Sequence, residues 1–251
     1  MQPTESPSSA LTMPRPDARV IVTGSEGGLG RALVNALCAS GAAVCGVDRP
    51  ASGAAVEADL TKPDHCALAV ERAAHRLGGI DAVVGAAGVV DTVHRAATFP
   101  AASFRADLDA NLSSQFFVAQ AAYEHLRASP AASIVMVSSL AGLDGLVGQV
   151  SYAAAKAGIV GVVRSLAAEW VGDGIRVNGV APGLFATPKV MGLPDATRDR
   201  ILRAVPMARL ASLDEVVGPI LYLLSRAASY VTGQILRIDG GAGLGVHGLH
   251  R

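Results

Sequence analysis

Arg19-Val20-Ile21-Val22-Thr23-Gly24-Ser25-Glu26-Gly27-Gly28-Leu29-Gly30 runs from a β-branched apolar stretch straight into four closely spaced glycines. β-branched residues favour strands, and glycine permits the tight backbone that must follow one. An Ala- and Leu-rich segment at helical spacing continues from Arg31 to Ser40 and stops at Gly41, a residue suited to a left-handed cap. Strand, glycine turn and helix in that order make a cradle for phosphate. The backbone can approach closely, and the helix N-terminus offers unpaired N–H groups with partial positive charge. A glycine cluster alone also fits an ordinary tight turn. The next strand, Ala42 to Val47, argues for the cradle, because it ends in Asp48, twenty residues after Gly28. A carboxylate there can accept both hydroxyls of a ribose.

The alternation continues down the chain. Asp59-Leu60 closes a short third strand, and a helix is expected from about Asp64 to Leu77. Ile80 to Val84 makes a fourth strand, closed by Gly85-Ala86-Ala87-Gly88. A long helix follows from about Pro100 to Ala128, with Asn111 near its middle. Ser133 to Val137 is a fifth strand ending at Ser138-Ser139, and the helix carrying Tyr152 and Lys156 extends to about Val171. Arg176 to Val180, followed by Pro182-Gly183, and Ile235 to Ile238 complete seven strands. This pattern predicts right-handed crossovers and an α/β fold: a doubly wound, seven-stranded parallel sheet with helices on both faces. The 251 residues suit one such domain over 19–245, between a mobile Pro-, Ser- and Thr-rich tail at 1–18 and a short tail at 246–251. Ligands of such sheets bind at the carboxyl ends of the strands. Gly24 to Gly30, Asp48, Asp59, Gly88, Ser139 and Pro182-Gly183 all fall there.

Composition narrows the function. The 21 acidic and 21 basic residues cancel, which leaves no electrostatic footprint for nucleic acid. No apolar run is expected to reach the ~18–20 residues of a membrane span. Residues 1–18 lack the basic-then-apolar order of a signal peptide. Cys38, Cys45 and Cys66 are unevenly spaced and fit buried thiols in a reducing cytoplasm. His247 and His250 have ligand-like spacing but sit in a glycine-rich tail, so no metal is expected.

Tyr152 and Lys156, four residues apart, share one face of a helix. A phenol with an unperturbed pKa of about 10 is idle at neutral pH. An ammonium at roughly 4 Å, in an effective dielectric of about 20, favours the phenolate by about 4 kcal/mol, or about three pKa units. The positive end of the helix pushes the same way, so Tyr152 is expected to exchange a proton with a substrate oxygen near pH 7. Tyr-x-x-x-Lys by itself also fits a core tyrosine beside a solvated lysine. Only Lys62, Lys156 and Lys189 are lysines among the 21 basic residues, which makes lysine at 156 look selected. A compact ammonium there reaches both a phenol and a ribose hydroxyl where a guanidinium fork would not.

Taken together, these residues resemble the short-chain dehydrogenase/reductase family from Arg19 to Gly245, which implies a single-domain Rossmann fold. Thr23-Gly24-x-x-x-Gly28-x-Gly30 is similar to the family's cofactor loop. The resemblance implies cofactor contacts at Gly24, Ser25, Gly28, Leu29, Gly30, Asp48, Arg49, Ala87 and Gly88. Asp59-Leu60 resembles the pair that flanks the adenine, and Pro182-Gly183 with Thr187 the segment that holds the nicotinamide amide. Asn111, Ser139, Tyr152 and Lys156 match the catalytic tetrad, with Ser139 and Tyr152 thirteen residues apart. Thr232-Gly233-Gln234 and Asp239-Gly240-Gly241 resemble the C-terminal signature.

The implied reaction moves a hydride between a nicotinamide cofactor and a secondary alcohol or ketone, with Tyr152 as general acid/base. Ser139 would donate to the substrate oxygen and Lys156 would bond the nicotinamide ribose. Asn111, at an irregularity in its helix, would hold a water. One departure stands out: Gly85-Ala86-Ala87-Gly88 occupies the place of the family's Asn-Asn-Ala-Gly, so the amides that tie the central sheet are missing.

Asp48 would repel a 2′-phosphate, which favours NAD over NADP, although Arg49 beside it could pair one. Val89, Val90, Leu140, Leu143, Leu146, Val147, Gln149 and the loop from Leu184 to Arg209 are expected to line a mostly apolar pocket. A small-molecule alcohol or ketone would enter it beneath a lid at Thr187 to Asp195. The alternative enzyme is an NADPH-dependent 3-oxoacyl-carrier-protein reductase, opposed by Asp48 and by the lack of a basic cluster at the rim. A non-catalytic NAD(H)-binding sensor or scaffold is opposed by the complete tetrad. A serine hydrolase fails because neither Ser138 nor Ser139 lies in a G-x-S-x-G elbow. The resemblance also implies a homo-oligomer, tetramer or dimer, with Ala157, Gly158 and Gly161 suited to close helix contact.

Overall fold

The protein is described by a computed structural model over residues 13–90, 92–192 and 194–244. Its strands are β1 (Arg19–Thr23), β2 (Ala43–Asp48), β3 (Val56–Glu57), β4 (Ala82–Gly85), β5 (Ser133–Val137), β6 (Arg176–Pro182) and β7 (Ile235–Ile238). All pair in parallel, in the order β3-β2-β1-β4-β5-β6-β7, so the chain winds outward from β1 in one direction and then from β4 in the other. The doubly wound sheet is the one the alternation predicts.

Side-chain alternation along β1 explains why both faces must be covered. Ile21 belongs to one core with Val83, Ile134, Met136 and Val177, under helices α2 (Pro63–Leu77), α4 (Ser114–Arg127) and α6 (Val150–Trp170). Val20 and Val22 belong to the other core with Val84, Val135 and Val180, under α1 (Gly28–Ala39) and α9 (Leu213–Leu224). The remaining helices are α3 (Ala101–Leu108), α5 (Leu140–Asp144), α7 (Pro188–Met191) and α8 (Asp195–Leu202).

Several boundaries differ from those expected. α1 begins at Gly28 rather than Arg31, so the glycines themselves form its first turn. β3 shrinks to two residues, and Asp59-Leu60 lies beyond it. The long helix expected from Pro100 to Ala128 is α3 and α4 joined by a π turn at Asp109–Ser113, an irregularity centred on Asn111. The tail expected at 1–18 is packed from Met13 onward: Met13 lies on the second core, Ala18 is buried, and Arg15 Nη2 is 3.5 Å from Asp81. The 246–251 tail, with His247 and His250, lies outside the described residues. The expectation of no span-length apolar run is also corrected. Val150–Asp173, which includes α6, is long and apolar enough to cross a membrane by length and composition. Here that helix lies on the sheet, with Ala155, Ile159, Val163, Leu166 and Ala167 buried.

The amino end of the sheet is pinned electrostatically. Arg19 donates to Asp81 through its backbone N (2.9 Å), Nε (2.9 Å) and Nη2 (2.8 Å), and Ser129 Oγ donates at 2.6 Å. Burial pushes the Asp81 carboxyl up, but the bonds from Arg19 and Ser129 outweigh it and hold the group well below the usual carboxylate range.

Candidate active site

At the carboxyl end of β1 the backbone turns at Gly24, whose φ of +68° is a left-handed conformation that glycine adopts without strain. Gly24 N–H donates to Val47 O at 2.8 Å, and a Cβ on Gly24 would lie 2.8 Å from Ala87 Cα. A Cβ on Gly30 would lie 2.0 Å from Gly24 O. The loop is therefore folded onto itself more tightly than any side chain allows. No side chain caps α1 and no acidic residue sits in its first turn. The Leu29 side chain packs into the second core.

Ser25 is buried with its hydroxyl over Gly46 of β2, where a Cβ would come within 2.6 Å. Asp48 closes the turn from the β2 side. Its Oδ2 accepts from Glu26 N–H at 2.8 Å and its Oδ1 from Arg49 N–H at 2.7 Å. The carboxylate is thus fixed beside the glycine loop with a further lone pair on each oxygen. Arg49 is exposed next to it. Asp59 accepts from Thr61 N–H (3.0 Å) and Oγ1 (2.7 Å), which holds its carboxyl below the usual range, and Leu60 is buried in the first core.

Gly88 joins this loop to the tetrad. A Cβ there would meet Asn111 Oδ1 at 2.7 Å and Lys156 Nζ at 3.4 Å. Asn111 is fully buried in the π turn; its Oδ1 accepts from Val89 N–H at 3.0 Å and its Nδ2 donates to Asp107 O at 3.1 Å. Lys156 is 4% exposed, donates from Nζ to Val137 O at 2.8 Å, and lies 5.7 Å from the centre of the Tyr152 ring. Ser139 caps α5, accepting from Ala141 N–H at 3.1 Å, and its side chain lies near the Tyr152 hydroxyl. Ser138 Oγ donates to Lys156 O at 2.7 Å, which ties α6 to β5. Asn111 and Lys156 thus meet at Gly88, Tyr152 lies next to Lys156, and Ser139 next to Tyr152.

Their electrostatics depart from expectation. Burial pushes the Tyr152 phenol above its usual value, and the bond with Ser139 offsets this only in part. Burial lowers Lys156 to about 8. The ammonium is aimed at Val137 O and lies 5.7 Å from the Tyr152 ring centre, so this geometry is not the 4 Å pair that the large expected acidification assumes.

At the other side of the groove, Gly183 N–H donates to Ile238 O at 2.9 Å, continuing from Pro182 at the end of β6. A Cβ on Gly183 would lie 3.1 Å from Asp239 Cα. Thr187 Oγ1 accepts from Val190 N–H at 3.3 Å and so caps α7 within the expected lid. Val89, Val90, Leu146, Val147, Leu184, Met191 and Met207 are exposed apolar side chains. Gln149, expected in the pocket lining, is buried instead. Gly158, expected at a subunit contact, packs within the chain, since a Cβ there would lie 2.7 Å from Leu112 Cδ2.

Sequence reasoning missed two residues. Asp107 is buried, accepting from Thr92 Oγ1 at 3.1 Å and, through a short bond, from Ser151 Oγ. It links the 89–94 segment to the first turn of the helix that carries Tyr152. Gln115 donates from Nε2 to Val137 O at 3.1 Å and to Asn111 O at 3.4 Å. Both are single polar residues in helices, a pattern that solvated positions share.

A family model described as enoyl-(acyl carrier protein) reductase matches residues 23–243. The cis-4-hydroxycyclohexanecarboxylate dehydrogenase of Sinomonas cyclohexanicum is 37% identical over 235 residues, covering 88% of this chain and 94% of that protein. The 3-oxoacyl-[acyl-carrier-protein] reductase FabG of Thermotoga maritima is 34% identical over 236 residues, covering 88% of this chain and 96% of that protein. A solved structure of a short-chain type dehydrogenase/reductase from Mycobacterium ulcerans superposes with a TM-score of 0.85 at 26% identity, covering 92% of each chain.

Proposed function

The chain belongs to the short-chain dehydrogenase/reductase family, and from that premise we propose that it interconverts secondary alcohols and ketones with NAD, Tyr152 acting as general acid/base. The observation that carries this reading is that Asn111 and Lys156 meet at Gly88, with the Tyr152 ring 5.7 Å from the Lys156 ammonium, beside a glycine loop closed by Asp48. The residues fit a dinucleotide: Gly24 and Gly30 form a cradle that any Cβ would fill, and α1 presents an uncapped N-terminus to a pyrophosphate. Gly24, Gly28, Leu29 and Gly30 would hold the phosphates, Asp48 the adenosine ribose, and Pro182, Gly183 and Thr187 the carboxamide end.

When bound, the nicotinamide accepts or supplies the hydride. Tyr152 removes the hydroxyl proton during oxidation and returns it during reduction. Ser139 donates to the substrate oxygen and stabilises the charge that develops there. Lys156, charged below about pH 8, would bond the nicotinamide ribose. The exposed valines, leucines and methionines among the residues expected to line the pocket support a compact apolar substrate. The free cysteines, two of them buried, suit the cytoplasm. Exposed Ala157 and Gly161 on α6 support a helix-paired dimer or tetramer.

The second reading, reduction of a 3-oxoacyl-carrier-protein with NADPH, has the 34% identical FabG in its favour and the fixed Asp48 carboxylate against it. Secondary alcohols and ketones assayed with NAD(H) and NADP(H), following the reduced cofactor by absorbance, separate the two. Tyr152→Phe is expected to lose nearly all turnover and keep dinucleotide binding. Wild-type rates from that variant refute the assignment.

A further inference from the structure

β4 ends at Gly85, opposite Met136 and one residue short of Val137. The Val137 carbonyl therefore has no strand partner on that side, and a buried carbonyl must find another donor. It has two: Lys156 Nζ at 2.8 Å and Gln115 Nε2 at 3.1 Å. Gln115, on the sheet-facing side of α4, is 3% exposed, and the same Nε2 reaches Asn111 O at 3.4 Å. One amide thus spans the π turn that holds Asn111 and the strand end that holds Lys156.

Glycine at 85 and glutamine at 115 depend on each other. A Cβ at 85 would lie 2.8 Å from Gln115 Oε1 and 3.3 Å from its Cδ, so the amide occupies the volume that any other residue at the end of β4 would fill. Gln115 Oε1 is buried without a hydrogen-bond partner. An unpaired buried acceptor is destabilising, and apolar packing alone would select a leucine here. Retention of the amide is therefore explained by what its N–H end does.

We infer that Gln115 is a positioning residue for Lys156: it fixes the Val137 carbonyl, and through it the ammonium, relative to Asn111, supplying from α4 the tie that Gly85 cannot supply from β4. The effect reaches the reacting atoms only through Val137 and Lys156, so it rests on the reading of Tyr152 and Lys156 given above. Misplacement of such a group by a fraction of an ångström to 1 Å is felt in turnover more than in cofactor binding.

The test is a cycle of Gln115→Leu, Gln115→Ala, Gly85→Asn and the double variant Gly85→Asn/Gln115→Ala, assayed for kcat and for cofactor KM, with Tyr152→Phe in parallel. Gln115→Leu is expected to lower kcat about tenfold or more with cofactor KM within about threefold. Gly85→Asn alone is expected to be impaired by collision with Gln115. The double variant is expected to recover well above the product of its two single losses, because an amide from β4 then has the vacated room. Wild-type kcat in Gln115→Leu, with only thermal stability reduced, overturns the inference, as does a double variant no better than multiplicative. Should Gln115→Leu not fold, the double variant alone decides. An active Tyr152→Phe sinks the functional reading, whereas an inactive one with a wild-type Gln115→Leu sinks only this inference.

Discussion

Gly30→Ala is expected to weaken dinucleotide binding while leaving the sheet folded. A Cβ there would lie 2.0 Å from Gly24 O, 2.7 Å from Gly24 C and 2.8 Å from Ser25 Cα. All three atoms are backbone, so no side chain can swing aside. Carbon contacts are optimal at about 3.5–4.0 Å, which requires the loop to retreat by more than about 1 Å. Overpacking of this kind costs about 1–3 kcal/mol of stability. In a chain of this size that lowers Tm by about 2–4 °C for each kcal/mol. The retreat also withdraws backbone N–H groups from the phosphates. Loss of one hydrogen bond to a charged group is worth about 1.5–3 kcal/mol, or a Kd raised about tenfold to a hundredfold. Fluorescence titration with NADH, beside thermal denaturation, measures both. Gly27→Ala is the graded control, because its Cβ meets only Gly24 O, at 3.3 Å, and Gly172→Ala is the open one, with nothing within 4 Å. A wild-type Kd in Gly30→Ala refutes the reasoning that the loop is closed to any side chain where it binds phosphate.

Lys156 is held at about 8 by burial, against 10.5 for an ordinary lysine, so its charged form costs stability below pH 8 and the cost is relieved as pH climbs toward 10.5. Lys156→Met is therefore expected to stabilise the fold by up to about 3 kcal/mol at pH 7, and by less at pH 10, while abolishing turnover; urea denaturation at the two pH values checks it. Asp81 has the opposite sign. Its depressed carboxyl contributes stability that is complete above the ordinary carboxylate pKa of about 4 and is lost as acid titrates it. Asp81→Asn is expected to cost about 3 kcal/mol at neutral pH with little effect on kcat, measured by denaturation and steady-state assay. Asp48→Ser is expected to raise the NADP-to-NAD ratio of kcat/KM by about tenfold or more, since the carboxylate that repels a 2′-phosphate is gone.

The sheet was legible because buried parallel strands are short β-branched runs, and Ile21, Val83, Ile134 and Val177 show in sequence the burial they have in the fold. The proximity of Tyr152 and Lys156 was legible because their spacing is local to one helix. What escaped the sequence depends on long-range packing. β3 is shorter than expected, with only Val56–Glu57 pairing, and the segment after it is held by a turn, Thr61 bonding to Asp59, rather than by a ladder. Gln115 and Asp107 drew no reading from the sequence, because nothing in their neighbours reveals that α3 and α4 turn those positions inward. The direction of the Tyr152 shift was misjudged for the same reason: the attraction of an ammonium can be written down from a spacing of four, whereas the cost of burial needs the fold.

β1 is five residues long and so about 13–16 Å from end to end. Its opening residue, Arg19, is clamped to Asp81, and its closing residue, Thr23, hands the chain to the groove. That span exceeds the ~8–10 Å over which exposed charges sense one another in physiological salt. Durability and reactivity are thus lodged at opposite poles of one strand and can drift independently. A selection for heat tolerance confined to the Arg19 pole has room to work without retuning the chemistry at the far rim.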